Sequence, residues 1–308
     1  MCLGISQSPH WHKAHAAFTN AMSMQHLPAL KTPSFRLDGR RALVTGGSKG
    51  IGFAAATALA QAGAQVVLVA RDATELIAAC ARINCGSGLK DTSKTSVGDA
   101  GDESSASPLA RYQVLDVTDS AAVTAWVEKD IAAHGPFDVL VSNAGTNRPS
   151  TLAALEDADL DAVLDLNIKA AFYVARAVAR GMLAANDGRG MPGSIIHLSS
   201  QMGHVGGPKR TVYCASKHAI EGMTKALAWE LGRHQIRVNT ICPTYIETPM
   251  TAPMLADPAF RAFAENGTAL GRVGRIEEVM GAVVFLASDA STLVTGSALM
   301  LDGGWTAH

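Results

Sequence analysis

"RALVTGGSKGIG" (residues 41–52) runs from a short apolar segment through a glycine turn into "IGFAAATALAQAG", an alanine-built helix closed by Gly63. Gly46, Gly50 and Gly52 allow a tight bend, a close approach of backbone to a ligand, and a helix N-terminus aimed at negative charge. A dinucleotide pyrophosphate needs those three properties, and Ser48, Lys49 and Ile51 share the turn. A glycine cluster alone is weak evidence, because most are ordinary turns. Its place between a strand and a helix, at the head of an alternating array, gives it weight.

Downstream, "AQVVLVA" (64–70) reads as a second strand and "RDATELIAACARI" as a second helix. After "RYQVLDV" (111–117) come a helix ("DSAAVTAWVEKDIAAHG"), the strand "FDVLVSNAG", and "ADLDAVLDLNIKAAFYVARAVARGMLA" (158–184), read as one long helix. "GSIIHLSS" (193–200), the helix "TVYCASKHAIEGMTKALAWEL" (211–231), the strand "IRVNTICP" (236–243), glycine-broken helices over 251–290 and the strand "GSALMLDGG" complete the chain. Strands that are apolar throughout and alternate with helices imply an α/β fold with a parallel sheet covered on both faces. One domain accounts for residues 35–308, and residues 1–34 read as an extension. Residues 85–110, rich in Gly, Ser and Asp, cannot bury enough surface to offset their ordering entropy and read as a mobile surface insert.

The chain has 308 residues, 48% of them hydrophobic, enough for one large core or at most two. A net charge of −1 offers no basic field for nucleic acid, and no apolar run is long enough to span a membrane. Five cysteines without a paired spacing suit reduced thiols in a cytoplasm. His10, His12 and His15 cluster without an acidic residue or cysteine pair beside them, and no metal site is assigned.

At the end of the second strand, an acid would accept a hydrogen bond from an adenosine ribose hydroxyl and repel a 2′-phosphate. Arg71 stands there instead, with Lys49 nearby, which favours NADP(H) over NAD(H). Asp72 could neutralise Arg71, and both cations could be plain surface charges, so NAD(H) stays open. Tyr213 and Lys217 lie one helical turn apart and point the same way. A tyrosine is a poor base at neutral pH, and an adjacent ammonium favours its phenolate. Ser200, 13 residues before Tyr213, ends a strand at the sheet edge where ligands sit and can steady a substrate oxygen. Singly, each has a plainer use: Ser200 as a helix cap, Tyr213 as a buried aromatic, Lys217 as a surface charge. Together, with the glycine turn ahead of them, they point to catalysis.

"TGGSKGIG", "NAG" (143–145), "SSQMG" (199–203), "YCASK" (213–217) and a terminal "LDGG" occur in the order and separations of the short-chain dehydrogenase/reductase family, which the chain resembles over about residues 36–305. Around "NAGTNRP" and "SSQMGHVGG" it is most similar to gluconate-type dehydrogenases and 3-oxoacyl reductases. The resemblance implies a single Rossmann-type, doubly wound, seven-stranded parallel sheet and a homotetramer. It implies Ser200, Tyr213 and Lys217 as catalytic residues, with Asn167 anchoring a water-linked proton relay to Lys217. It also implies that Asn143, Ala144 and Gly145 line the cofactor, that Asp116 and Val117 touch the adenine, and that Pro243, Ile246 and Thr248 lie near the nicotinamide. Thr244 replaces the glycine usual after Pro243.

The expected activity is NADP(H)-dependent interconversion of a ketone and a secondary alcohol, with Tyr213 as general acid/base on a small carbonyl or alcohol substrate. A 3-oxoacyl thioester reductase, with Lys209, Arg210 and Arg148 receiving an acyl carrier, and a catalytically silent dinucleotide sensor are the alternatives. His204 follows the serine motif in the expected substrate loop, where it can touch a substrate, and Cys242 reads as a packed thiol with no nearby base. Met250, Met254 and Phe260 either line an apolar pocket or pack a lid over 247–268.

Overall fold

The apolar runs become seven strands: β1 (Arg41–Thr45), β2 (Gln65–Ala70), β3 (Ala110–Val114), β4 (Val139–Ser142), β5 (Gly193–Leu198), β6 (Ile236–Pro243) and β7 (Ala298–Leu301). All pair in parallel, in the order β3-β2-β1-β4-β5-β6-β7. The computed structural model describes residues 30–86, 109–185 and 192–308, and the unit carrying these elements spans Ser34–His308. Most of the expected extension (1–34) and most of the expected insert (85–110) lie outside the described residues.

The helices are α1 (Gly50–Gln61), α2 (Ala73–Gly86), α3 (Ser120–His134), α4 (Asp157–Leu164), α5 (Ala170–Ala184), α6 (Thr211–Leu231), α7 (Ala252–Leu255), α8 (Pro258–Asn266) and α9 (Glu277–Ala287). None is long and apolar enough to cross a membrane among the described residues. Successive strand residues face opposite sides of the sheet. Ala42, Val44, Leu68 and Val141 pack with α1 and α9, whereas Leu43, Val67, Leu140 and Ile195 pack with α3, α5 and α6. Both faces are covered, which is why the strands read as continuous apolar runs.

Strand order runs outward from β1 to β3, then resumes beside β1 with β4. The loops leaving β1 and β4 therefore part to opposite sides and open a crevice at the carboxyl ends of the strands. A charged cluster braces the same sheet: Asp130, buried on α3, accepts from Arg41 Nη2 at 2.6 Å and pairs with Arg111 Nη1 at 2.6 Å. Burial pushes the Asp130 carboxyl up, but the hydrogen bonds and charges of Arg111 and Arg41 outweigh it and hold it below the usual carboxylate range.

Residues 158–184 are not the single regular helix expected. Between α4 and α5 the chain widens into a π turn over Asp165–Lys169, with Asn167 buried at its centre. Such widened turns recur at functional sites.

Candidate active site

The crevice holds a cavity of about 750 Å³ that runs from Arg71 and Asp116 past the glycine turn to Thr248 and Met250. Its floor is built by close approach. A Cβ on Gly52 would lie 2.2 Å from the Gly46 carbonyl oxygen, so only glycine lets α1 start against the turn. Asn143 locks that turn, with Nδ2 donating to the carbonyls of Thr45 at 3.0 Å and Gly46 at 3.2 Å. Thr45 Oγ1 in turn accepts from the amides of Asn143 and Ala144. Lys49 occupies the N-cap of α1 without a side-chain cap, and the first turn carries no acidic residue. The free amides there suit a pyrophosphate.

Gly46, Ser48, Lys49, Gly50, Ile51, Arg71, Asp116, Val117, Asn143, Ala144, Gly145 and Thr248 all line this cavity. Gly52 lies beneath it. Pro243, Ile246, Tyr213 and Lys217 are not among the residues lining it; the Ile246 side chain is buried in the core and its backbone bridges to Gly274. Thr244 fits without strain, its amide donating to the Leu301 carbonyl at 3.2 Å, while its buried Oγ1 has no partner.

At the adenosine end, Asp72 does not neutralise Arg71. Its Oδ1 accepts from the Glu75 amide at 2.9 Å and caps α2, and Arg71 is exposed with no ion pair among the described residues. Glu75 escaped the sequence reading. It pairs with Lys49 Nζ at 2.6 Å and accepts from Ser48 Oγ at 2.9 Å, which holds its carboxyl below the usual range. Asp72-x-x-Glu75 has the spacing of a capping box, the signal from which Glu75 could have been placed.

Ser200, Tyr213 and Lys217 come together at the ends of β5 and α6. Ser200 Oγ accepts from the Met202 amide at 3.1 Å, so the plain capping use also holds. The same hydroxyl donates to the Pro243 carbonyl at 3.5 Å and lies close enough to the Tyr213 phenol to act on its acidity. Lys217 Nζ donates to the Leu198 carbonyl at 2.7 Å and lies 5.6 Å from the Tyr213 ring centre. Burial pushes the Tyr213 phenol up to about 12, against the pull of the Ser200 hydrogen bond and the Arg210 charge. Burial also lowers the Lys217 ammonium to about 8, opposed by Cys242 and Glu221. In the free protein, then, desolvation outweighs the expected acidification of Tyr213 by Lys217.

Asn167 holds structure tightly. Its Oδ1 accepts from the Thr146 amide at 2.8 Å, and its Nδ2 donates to the Thr146 carbonyl at 2.9 Å and to Ser216 Oγ at 3.0 Å. It thereby ties the loop after β4 to α6, one residue before Lys217. Arg210 also went unplaced as an active-site residue. It is buried beside the start of α6, with Nη2 on Met254 Sδ at 3.1 Å and Nη1 without a hydrogen-bond partner among the described residues. Met250 lines the cavity, whereas Phe260 packs edge-on against Tyr245 at 5.3 Å and holds the lid down.

Among the histidines, His197 is buried on Thr224 Oγ1 at 2.9 Å and pushed down to about 4 by burial. Cys242 does have neighbours of the kind the sequence left out. His204 Nε2 lies 3.5 Å from its Sγ, and Glu221 Oε1 lies at 3.3 Å.

Residues 88–306 match a family model described as enoyl-(acyl carrier protein) reductase, and residues 40–110 match one described as short chain dehydrogenase. Gluconate 5-dehydrogenase of Gluconobacter oxydans is 38% identical over 88% of this chain and 96% of that protein. The 3-oxoacyl-[acyl-carrier-protein] reductase of Thermotoga maritima is 38% identical over 87% of this chain and 98% of that protein. The solved gluconate 5-dehydrogenase of Burkholderia cenocepacia, in complex with NADP and tartrate, superposes with a TM-score of 0.78 at 36% identity, covering 89% of this chain and 98% of that one. With its parallel sheet, switch-point cavity and converging Ser200, Tyr213 and Lys217, the chain belongs to the short-chain dehydrogenase/reductase family and is an oxidoreductase of hydroxyl and carbonyl groups.

Proposed function

We propose that this enzyme uses NADP(H) to interconvert a ketone and a secondary alcohol on a small substrate that also bears a carboxylate, such as a sugar acid. The observation that carries the reading is the convergence of Ser200, after β5, with Tyr213 and Lys217 in the first turns of α6. Tyr213 holds or takes the proton on the substrate oxygen, Ser200 hydrogen-bonds that oxygen, and Lys217 supplies positive charge behind the phenol. When bound, the cofactor supplies or accepts the hydride. The glycine turn and the uncapped start of α1 suit its pyrophosphate, and the unpaired Arg71 suits a 2′-phosphate.

Arg210 supports the carboxylate. A buried guanidinium nitrogen without a partner is costly. A bidentate anion beside Tyr213 would satisfy it. The acyl-carrier alternative has less support, because Arg210 is buried and Arg148 faces Asp159 at 3.6 Å, leaving exposed Lys209 alone of the three basic candidates. The sensor alternative conflicts with retention of Tyr213 and Lys217. A homotetramer is part of the proposal, supported by Trp229 on α6 and Phe172 on α5, which are 89% and 48% exposed. Light scattering measures it.

The substrate reading is tested with NADPH oxidation by keto-aldonates, neutral ketoses and 3-oxoacyl thioesters. Arg210→Met should raise KM for the keto acid by roughly 10- to 100-fold, the loss of one charge-assisted bond, and leave neutral ketoses within about 2-fold. An equal effect on charged and neutral substrates would sink the carboxylate assignment.

A further inference from the structure

We propose that His204, Glu221 and Cys242 form a binding site for a zinc-type divalent transition-metal ion, with three protein ligands and a fourth position open to water. The site adjoins the hydride-transfer residues, with Glu221 and Cys242 near enough to act on the Lys217 ammonium, but it shares no residue with them and does not depend on the substrate reading. The three residues are remote in sequence and form no local motif. His204 ends the turn after Ser200, Glu221 lies one helical turn beyond Lys217 on α6, and Cys242 precedes Pro243 at the end of β6. Only the fold brings them together.

The geometry is that of a coordination face. Cys242 Sγ lies 3.5 Å from His204 Nε2 and 3.3 Å from Glu221 Oε1, and His204 Nε2 lies 3.5 Å from Glu221 Oε1. Zinc bonds to sulfur, imidazole nitrogen and carboxylate oxygen, set at tetrahedral angles, place such donor pairs about 3.3–3.6 Å apart. The three atoms therefore already mark one face of a tetrahedron. The donor set of thiolate, imidazole and carboxylate selects zinc or cobalt over calcium and magnesium, which take oxygen.

The surroundings are built to match. Thr240 Oγ1 donates to Glu221 Oε2 at 3.1 Å and leaves Oε1 turned toward His204 and Cys242. Such outer partners orient metal-binding carboxylates. Gly203 lets the His204 turn settle onto α6: a Cβ there would lie 2.8 Å from Ser199 Oγ and 3.2 Å from Glu221 Cγ. Glu221 and Cys242 are buried, whereas the His204 side chain is 30% exposed, which leaves solvent access on one side. Among the described residues, His204 is also the one ion-pair partner of the buried Glu221 carboxylate. A divalent ion would compensate that charge more fully.

On binding, the hydrated ion exchanges three waters for Sγ, Nε2 and Oε1. The Cys242 thiol gives its proton to solvent and becomes the thiolate ligand, with no change of oxidation state. The ion would then pin the Ser200–His204 segment to α6 and β6.

The test is cobalt titration of the reduced, metal-stripped full-length protein. One equivalent per chain should give thiolate-to-cobalt charge-transfer absorption with the strong visible bands of tetrahedral cobalt, and zinc should bleach both. Cys242→Ser should lose the charge-transfer band. Glu221→Gln and His204→Ala should keep it with affinity lowered by at least about 10-fold. Replacing His10, His12 and His15 together by alanine should leave the band intact, which separates this site from the N-terminal histidines. At one fixed zinc concentration the Tm of the parent should rise more than that of Glu221→Gln, a readout that stands even where Cys242→Ser fails to fold. No charge-transfer band at micromolar cobalt and neutral pH, or one that survives in Cys242→Ser, overturns the proposal and leaves a hydrogen-bonded cluster.

Discussion

Replacing Arg71 by alanine should separate the two cofactors. Arg71 is exposed at the outer end of the cavity and makes no ion pair among the described residues, acting only at a distance on the Asp116 carboxyl, so its loss should leave Tm nearly unchanged. A guanidinium on a phosphate is a charge-assisted hydrogen bond worth about 1–3 kcal/mol at such a wet position, or about 5- to 150-fold in affinity. The competing pair is weak. Lys49 and Glu75 are 61% and 37% exposed, a setting in which an ion pair contributes at most about 1 kcal/mol. Lys49 can therefore leave Glu75 for a phosphate, and Glu75→Gln should tighten NADPH a few-fold. The assay is fluorescence titration with NADPH and NADH side by side. Arg71→Ala should raise the NADPH Kd by about 5- to 150-fold and move the NADH Kd by less than 2-fold. Equal weakening of both, or none, would refute a phosphate site at Arg71.

Tyr213→Phe should lower kcat by about 10²- to 10⁴-fold while cofactor Kd stays within about 3-fold, read by steady-state rates and fluorescence titration. Lys217→Met should also lose turnover yet be the more stable protein at neutral pH, because it removes an ammonium that burial opposes. The Lys217 value lies at about 8 when folded against 10.5 ordinarily, so the unfolded chain binds more protons between those limits. Parent stability should accordingly rise relative to Lys217→Met from pH 8 to 10, and parallel melting curves across that range would contradict the assignment. Asp130→Asn strips the shared partner from Arg41 and Arg111 and should cost about 3 kcal/mol, or roughly 6–12 °C in Tm. The depressed Asp130 value contributes stability present above the ordinary carboxylate range and lost as pH falls through the folded value, so calorimetry should find the Asn variant less sensitive to acid.

The strands were legible because burial on both faces writes unbroken apolar runs such as "QVVLVA" into the sequence. The glycine turn was legible because backbone approach leaves no other residue type at Gly52. What escaped was whatever depends on side chains meeting across the fold. Glu75 meets Lys49 from 26 residues away, and Asn167 grips Thr146 and Ser216 through a widened turn that helical periodicity cannot signal. Arg210 reads as a surface cation in sequence because nothing local tells that its guanidinium is enclosed. Cys242 read as an isolated thiol for the same reason: its neighbours arrive from another turn and another helix.

Tyr213 and Lys217 are where the fold works against itself. A phenol raised to about 12 and an ammonium lowered to about 8 are both held in forms that burial disfavours charging. In the free state Tyr213 keeps its proton throughout the neutral range, which suits donation to a carbonyl more than removal of a proton from an alcohol. For the oxidative direction the phenolate needs more positive charge than Lys217 alone supplies through this desolvated site, and the oxidised nicotinamide is cationic when bound. On the proposed function, cofactor occupancy and tyrosine acidity would be linked, each favouring the other by the same free energy. The rest of α6, packed against the sheet through Ile220, Met223 and Leu231, holds Lys217 at a depth that an ammonium would not take alone.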